Sequence, residues 1–338
     1  MKEICQNIFQ KTISYNSGFF SPRNLYVILG VERSLMVDTS LRLEHDAKVI
    51  DQMLAELGIE YQNLDIFITH DHPDHSGLVT DFQRRGARAF MNPEEQNRQA
   101  DPYHGYLVDE QKRQEHLRRM GVTGEYTPEV FDSFMEYMSQ AEKARKDLPE
   151  FSFIPISPGE QLQYGGYCFE VVPLKGHTFG QCGLYEKEHK LLFCGDQIMT
   201  SIVPIVSSIQ MDLGLLKSYL DSMGDFKHVY ADCRLLPCHY GPIKDVAKEV
   251  DRIVFGYLDK CEIMKEVLEK SKVPMTTREV GVRAYGRDEG PPDFSHFFMC
   301  TQIWAKTFSC LEYLYGEGFI ERTEAEGIIY WSTSMNKR

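Results

Sequence analysis

The sequence predicts an α/β layered domain followed by a mostly helical module, on three observations. Apolar, β-branched runs alternate with amphipathic helical segments between about residues 24 and 91. Strand-like runs resume between 151 and 238, most of them opening into polar loops. After Pro242 the pattern changes to long helical segments and closes on one hairpin.

Asn24-Leu-Tyr-Val-Ile-Leu29 and Ser34-Leu-Met-Val-Asp38 read as two strands around a turn marked by Gly30 and Glu32. Residues 44 to 57 carry apolar side chains at helical spacing and stop at Gly58, so a helix is expected there. Asn63 to Thr69 is a short apolar run, read as a buried strand that leads straight into His70. A helix is expected from about Ser76 to Arg85, ending near Gly86, and a strand over Ala87 to Met91. From about 92 to 150 charged residues dominate, with helical periodicity in VDEQKRQEHLRRM and PEVFDSFMEYMSQAEKARKDL. This reads as an inserted helical hairpin, either a solvated elaboration or a lid. Further strands are expected at Phe151 to Ile156, Tyr167 to Leu174, Gly183 to Tyr185 and Lys190 to Cys194. A helix at about 212 to 223 precedes His228-Val-Tyr-Ala231 and Leu235-Leu-Pro-Cys238. The tail then reads as a long helix, a short helix near Thr277 to Tyr285, a helix through about Ser295 to Tyr315, and the hairpin GFIERTEAEGIIYWST. That order looks like a winged-helix module.

Composition narrows the function. The chain has 338 residues and a formal net charge of −13, which weakens any nucleic-acid reading because phosphate binding wants a basic surface. The basic stretch at Lys112-Arg113 and Arg118-Arg119 is interleaved with Glu110 and Glu115, as on a solvated helix face. No apolar run reaches the roughly 18 to 20 residues of a membrane span. The opening MKEICQNIFQ lacks the features of a secretory signal. The nine cysteines are odd in number and form no CxxC pair, which argues against a disulfide framework or a cysteine-only zinc site. A reducing, cytoplasmic setting is expected.

The sharpest signal is His70-x-His72-x-Asp74-His75, placed immediately after a buried strand. Borderline cations such as zinc prefer imidazole nitrogen, with carboxylate as a harder complement. Three histidines and an aspartate within six residues can reach two adjacent ions when the loop turns tightly, and Pro73 would stiffen that turn. Three more candidate ligands stand at expected strand ends: His177 in Leu-Lys-Gly-His-Thr-Phe-Gly, Asp196 in Leu-Phe-Cys-Gly-Asp, and His239 in Leu-Pro-Cys-His-Tyr-Gly. His45, His104, His116, His189, His228 and His296 lack such contexts.

This ordered set resembles the metallo-β-lactamase superfamily, most fully its glyoxalase II-like (hydroxyacylglutathione hydrolase-like) members, over roughly residues 5 to 245. The resemblance implies an αββα sandwich with metals between the sheet edges. It implies that His70, His72 and His177 bind a first ion, that Asp74, His75 and His239 bind a second, and that Asp196 bridges them. The cofactors it implies are two divalent metal ions, zinc foremost, with iron or manganese as alternatives. The expected domains are a catalytic domain over 1–245, including the insertion, and a C-terminal helical, winged-helix-like domain over 246–338. The chain departs from the family pattern at Phe179, where many members have proline, and at Cys238, where a glycine normally precedes the last histidine. Neither change removes a ligand, and Cys238 reads as a packed neutral thiol or a residue that tunes the site.

The function expected is hydrolysis of a thioester or ester bond in a small acyl substrate. Two ions sharing one water would lower its pKa toward neutrality, giving a bridging hydroxide that Asp74, the expected catalytic residue, helps to orient. Fold membership alone does not fix a substrate, and three readings compete. A ribonuclease or phosphodiesterase of the same fold is opposed by the acidic charge. A flavo-diiron reductase is suggested by Pro73-Asp-His-Ser-Gly77, but those enzymes carry a glutamate where His72 stands. A non-catalytic binding module conflicts with the complete ligand set. A homodimer is a further expectation, and no membrane partner is.

Overall fold

The computed structural model describes residues 1–14, 22–96, 110–122, 151–206, 214–286 and 294–334. The chain forms two compact units. One comprises Met1–Asn97, Leu148–Pro204 and Ser222–Asp251, the other Arg98–Asp147, Ile205–Asp221 and Arg252–Arg338.

The first unit opens with four antiparallel strands, β1 (Lys2–Cys5), β2 (Ile8–Ile13), β3 (Arg23–Ile28) and β4 (Ser34–Val37). Helix α1 (Glu44–Glu56) leads to β5 (Leu64–Ile68), then to the short helices α2 (Pro73–Ser76) and α3 (Val79–Gln83) and to β6 (Arg88–Met91). Helix α4 (Glu110–Arg119) belongs to the second unit. Strand β7 (Ile154–Pro155) completes a seven-stranded sheet in chain order, parallel from β4 onward. A second sheet is built from β8 (Gln161–Tyr164), β9 (Tyr167–Pro173), β10 (Cys182–Glu186) and β11 (Leu191–Gly195). Helix α5 (Leu215–His228) then precedes β12 (Arg234–Pro237), which pairs parallel with β11.

Alternation along the strands explains the layers, because successive side chains leave opposite faces. Leu25 and Val27 of β3, Met36 of β4 and Ile66 and Ile68 of β5 turn toward Ile50, Met53 and Leu54 of α1 and Phe82 of α3. Tyr26, Ile28, Leu35, Val37 and Phe67 turn the other way, onto Phe169, Val171, Leu184, Phe193 and Leu236 of the second sheet. Each such burial contributes about 1.5–3 kcal/mol. Being covered on both faces, β3, β4 and β5 carry apolar side chains on both, interrupted only near their starts by Arg23, Asn24, Ser34 and Asp65. On the outer side of the second sheet, Phe226 of α5 stacks on Tyr230 and Tyr230 on Tyr185, and Gln197 donates to Ser222 of α5. The layer order expected from the resemblance, helix on two sheets on helix, is the one observed.

Three expectations need correction. The helix expected over 76–85 is broken into α2 and α3 at Gly77. A Cβ on Gly77 would meet Pro73 O at 2.4 Å and Ser40 O at 2.7 Å, so the break is a close backbone approach that only glycine allows. The strand expected over 151–156 shrinks to β7, because Phe151 and Phe153 pack on the core between helix and sheet instead. Helix α5 runs on to His228, and no strand forms at 228–231. The second helix expected in the insertion lies outside the described residues.

In the second unit, α6 (Val246–Lys270, from Arg252 on), β13 (Met275–Thr276), α7 (Thr277–Tyr285) and α8 (Phe294–Gly316) precede a hairpin of β14 (Ile320–Ala325) and β15 (Ile328–Thr333). The expected helix, helix and hairpin are present, and β13 adds a third strand to β15. Thr276 and Glu279 form a reciprocal capping box at the start of α7. Trp331 donates to Thr277 Oγ1 at 2.9 Å and packs edge-on to Phe308. Among the described residues, no helix is long and apolar enough to cross a membrane.

Candidate metal centre

Four strand ends of the first unit supply the site. His70 follows β5, His177 follows β9, Asp196 follows β11 and His239 follows β12. His72 is the N-cap of α2, and Pro73 opens that helix, where a missing N–H costs nothing. One turn of α2 then carries both Asp74 and His75.

The structure brings all seven sequence-predicted residues together. His70 Nε2 lies 3.0 Å from His72 Nδ1, and His177 Nε2 lies 3.2 Å from the same nitrogen. Two ligands of one tetrahedral zinc, each at roughly 2.0–2.1 Å, stand roughly 3.3 Å apart, so these imidazoles are spaced to share an ion. Asp74, His75 and His239 form a second set, with Asp74 Oδ2 3.2 Å from His239 Nε2 and 3.7 Å from His75 Nε2. Asp196 lies between the sets, its Oδ2 3.8 Å from His177, 3.5 Å from His75 and 3.6 Å from His239. His75 Nε2 and Asp196 Oδ1 are buried and find no hydrogen-bond partner among the described residues. A buried carboxylate oxygen left without a partner beside imidazoles fits a divalent ion.

A buried hydrogen-bond network orients these rings. Asp38 Oδ2 accepts from His75 Nδ1 at 2.8 Å, from Thr69 Oγ1 at 2.8 Å and from Cys238 Sγ at 3.1 Å, and its Oδ1 accepts from Thr69 N at 2.7 Å. Because the Thr69 hydroxyl spends its proton on Asp38, it accepts from His70 Nδ1 at 3.0 Å. His239 Nδ1 donates to Pro22 O at 3.2 Å. Each of these rings thus turns its Nε2 toward the site, the usual way outer hydrogen bonds orient a ligand ring. Glu95 ties two of the loops together. Its Oε2 accepts from Asp71 N at 3.0 Å, and its Oε1 accepts from Thr178 Oγ1 and Gly180 N, both at 2.6 Å.

Charge is concentrated here. Burial, with the neighbouring His75, His72 and His177, holds His70 well below the ordinary imidazole value, so it stays neutral. Burial and Arg23 also pull His75 down, but Asp196, Asp74 and Asp38 outweigh them and raise it to about 10. A divalent ion on His75 Nε2 would displace that proton. Burial works against ionising Asp74, yet Arg23, His75 and His239 hold its carboxyl well below the usual range. Burial and the carboxylates Asp38 and Asp196 push the Cys238 thiol well up. Cys238 is therefore a neutral thiol that donates to Asp38.

The family profile of the Metallo-beta-lactamase superfamily matches residues 18–239. The chain belongs to that superfamily. Among superfamily structures, a metallo-beta-lactamase family protein from Thermus thermophilus is 23% identical, with TM-score 0.77 over 98% of this chain and 100% of the other. A beta-lactamase domain protein from Burkholderia ambifaria is 20% identical, with TM-score 0.78 over 98% and 94%. Identities this low speak to the fold. A lactamase-like protein, nscB, of Trichophyton rubrum is 24% identical over 48% of this chain and 52% of its own length. An uncharacterized protein of Aquifex aeolicus is 23% identical over 45% and 57%. The matched stretch thus spans little more than half the length of these curated relatives.

Superfamily members are mostly metal-dependent hydrolases that use divalent ions, and this chain presents the imidazole and carboxylate groups such chemistry needs. Of the other histidines, His45 meets Asp46 and His189 meets Glu186, both away from the site, while His104 and the side chain of His296 lie outside the described residues. Sequence reading missed Asp38, Glu95 and Arg23. Asp38 had a signal, a carboxylate closing an otherwise apolar strand. Arg23 had one too, a lone cation heading a strand buried throughout. Glu95, in a polar turn, had none.

Proposed function

We propose that the chain hydrolyses a thioester or ester bond in a small acyl substrate, using a divalent ion held by His70, His72 and His177 beside Asp196. The observation that carries this reading is the 3.0 and 3.2 Å spacing of three imidazole nitrogens at the end of β5, with His70 kept neutral. A divalent ion bound there supplies Lewis acidity and brings the pKa of a coordinated water toward neutrality. The protein's part is orientation. Asp38 and Thr69 fix the rings of His75 and His70, and Glu95 holds the loop of His177 against the loop of His70. Asp74, kept ionised by Arg23, is a carboxylate able to accept a hydrogen bond from an attacking water and so align it.

The acidic charge of −13 favours a small acyl substrate over a polyanion. All nine cysteines are free, which supports a reducing, cytoplasmic setting. The tail, in which α7, α8 and a three-stranded sheet follow the long α6, supports a winged-helix-like module, for which a role in dimerisation is the simplest use.

The test is elemental analysis of the purified protein together with a substrate panel of thioesters, esters, phosphodiesters and a lactam. Zinc-containing protein that turns over acyl substrates, and loses turnover on Asp74→Asn while keeping its metal, is the expected result. Cleavage of RNA with no acyl turnover reverses the assignment.

A further inference from the structure

Arg23 is fully buried among the donors of the second set. Its Nη2 is 2.5 Å from Asp74 Oδ2 and 3.2 Å from His239 Nε2. Those are two of the three atoms that a second ion would use, and both hydrogen bonds that this nitrogen makes among the described residues fall on that set. A guanidinium stays charged at any pH a protein survives, so it cannot step aside by losing a proton.

The backbone that carries it is held close to the same set. Arg23 is the first residue of β3, and its backbone forms a bridge with His239 itself. Asn24 N donates to Cys238 O at 2.7 Å, Tyr240 N donates to Pro22 O at 3.2 Å, and Asn24 Nδ2 donates to Pro237 O and Tyr240 O. The strand that carries the cation and the loop that carries one of the donors it faces are thus held together through paired backbone. Burial opposes its charge, but the buried carboxylates Asp74, Asp196 and Asp38 favour it and prevail. A divalent ion on Asp74 Oδ2 would have to share that oxygen with a like charge in a water-poor site, where such repulsion is strong.

We propose that Arg23 is the resident cation of the Asp74, His75 and His239 set, so that the chain holds one divalent ion tightly and takes a second only when the guanidinium is removed. The inference rests on the His70, His72 and His177 set binding an ion, as in the function proposed above. Arg23 is then a positioning residue that holds Asp74 and His239 in place, and the seven donors serve one metal and one side chain.

The experiment is a metal titration. Chelator-stripped protein is titrated with Zn²⁺ against a chromophoric competitor, with stoichiometry checked by elemental analysis and native mass spectrometry. The variants are Arg23→Met, Arg23→Gln and Arg23→Lys, each checked for folding by circular dichroism. Wild type and Arg23→Lys should hold about one ion per chain, and the neutral variants about two, with the second ion bound at least about a hundredfold tighter than in wild type. Two ions of similar affinity in wild type overturn the proposal, whether or not any variant folds. So does a folded neutral variant that still takes only one. One bound ion without acyl turnover overturns the hydrolase reading alone, two ions with turnover overturn this inference alone, and no ion at all overturns both.

Discussion

Replacing Asp38 by asparagine removes a charge from the most heavily used acceptor near the metal centre while changing its shape very little. Four donors point at the carboxylate: Thr69 N at Oδ1, and Thr69 Oγ1, His75 Nδ1 and Cys238 Sγ at Oδ2. Asparagine has one acceptor atom. If its oxygen takes the place of Oδ2, its amide nitrogen faces the Thr69 N–H, and two donors confront each other. If it turns over, three donors lose their partner at once. The milder case forfeits one hydrogen bond to a charged group, about 1.5–3 kcal/mol, and weakens the remaining three by removing the charge. We therefore expect a loss of about 3 kcal/mol in the metal-free protein, a large share of an ordinary domain's about 5–15 kcal/mol. Metal affinity should fall about 10–100-fold, because His75 and, through Thr69, His70 lose the groups that set their tautomers. Urea unfolding of metal-free protein reads the first effect and competition with a chromophoric chelator reads the second. An Asp38→Asn protein within about 0.5 kcal/mol of wild type that also bound metal equally well would refute the reasoning, since no buried carboxylate with four donors should be dispensable.

Glu95→Gln should weaken metal binding about tenfold, because one amide cannot accept from Asp71 N, Thr178 Oγ1 and Gly180 N together, and the same chelator competition measures it. Gly77→Ala should destabilise by about 2 kcal/mol or more, since its Cβ would meet backbone atoms of Pro73, Ser40 and Arg42 within 2.9 Å, and thermal melting would show an unchanged midpoint if those atoms can give way. Asp65 is buried, which opposes its charge, but Arg88, Arg33 and Tyr164 outweigh burial and lower its pKa. Asp65→Asn should therefore cost about 2 kcal/mol at neutral pH, discounted for the partial exposure of both arginines. Because the folded pKa is depressed, that contribution is complete above the unfolded value near about 3.9 and disappears as pH falls through the lower folded value. A gap between wild type and variant that stays constant across urea titrations from neutral pH to the acid limit would contradict the assignment.

What the sequence made legible was chemistry carried by neighbours in the chain. His70, His72, Asp74 and His75 announce themselves because four metal-competent residues share one turn after an apolar strand, and a strand end is where side chains project into a crevice. His177, Asp196 and His239 were legible for the same local reason. The breaks between elements were less so. Gly77 ends α2 because of Ser40 and Arg42, which are distant in sequence and give no sign beside Gly77 itself. Phe151 and Phe153 look like strand residues, yet packing under the first sheet, not pairing, decides their place.

The supporting residues were invisible for a different reason, since a polar side chain's role depends on what tertiary contacts leave it unpaired. Asp38 acquires Cys238 as a donor from 200 positions away, and Glu95 acquires Thr178 from 83 positions away. Arg23 shows the consequence most sharply. Counting donors in the sequence yields seven, which is the number for two ions. It takes no account of cations already present, and the guanidinium heading β3 reaches Asp74 and His239 from 51 and 216 positions away. Metal stoichiometry is a balance of charge as well as a count of ligands. Seven donors around a fixed cation are a different site from seven donors around none, and only the fold reveals which one this chain has built.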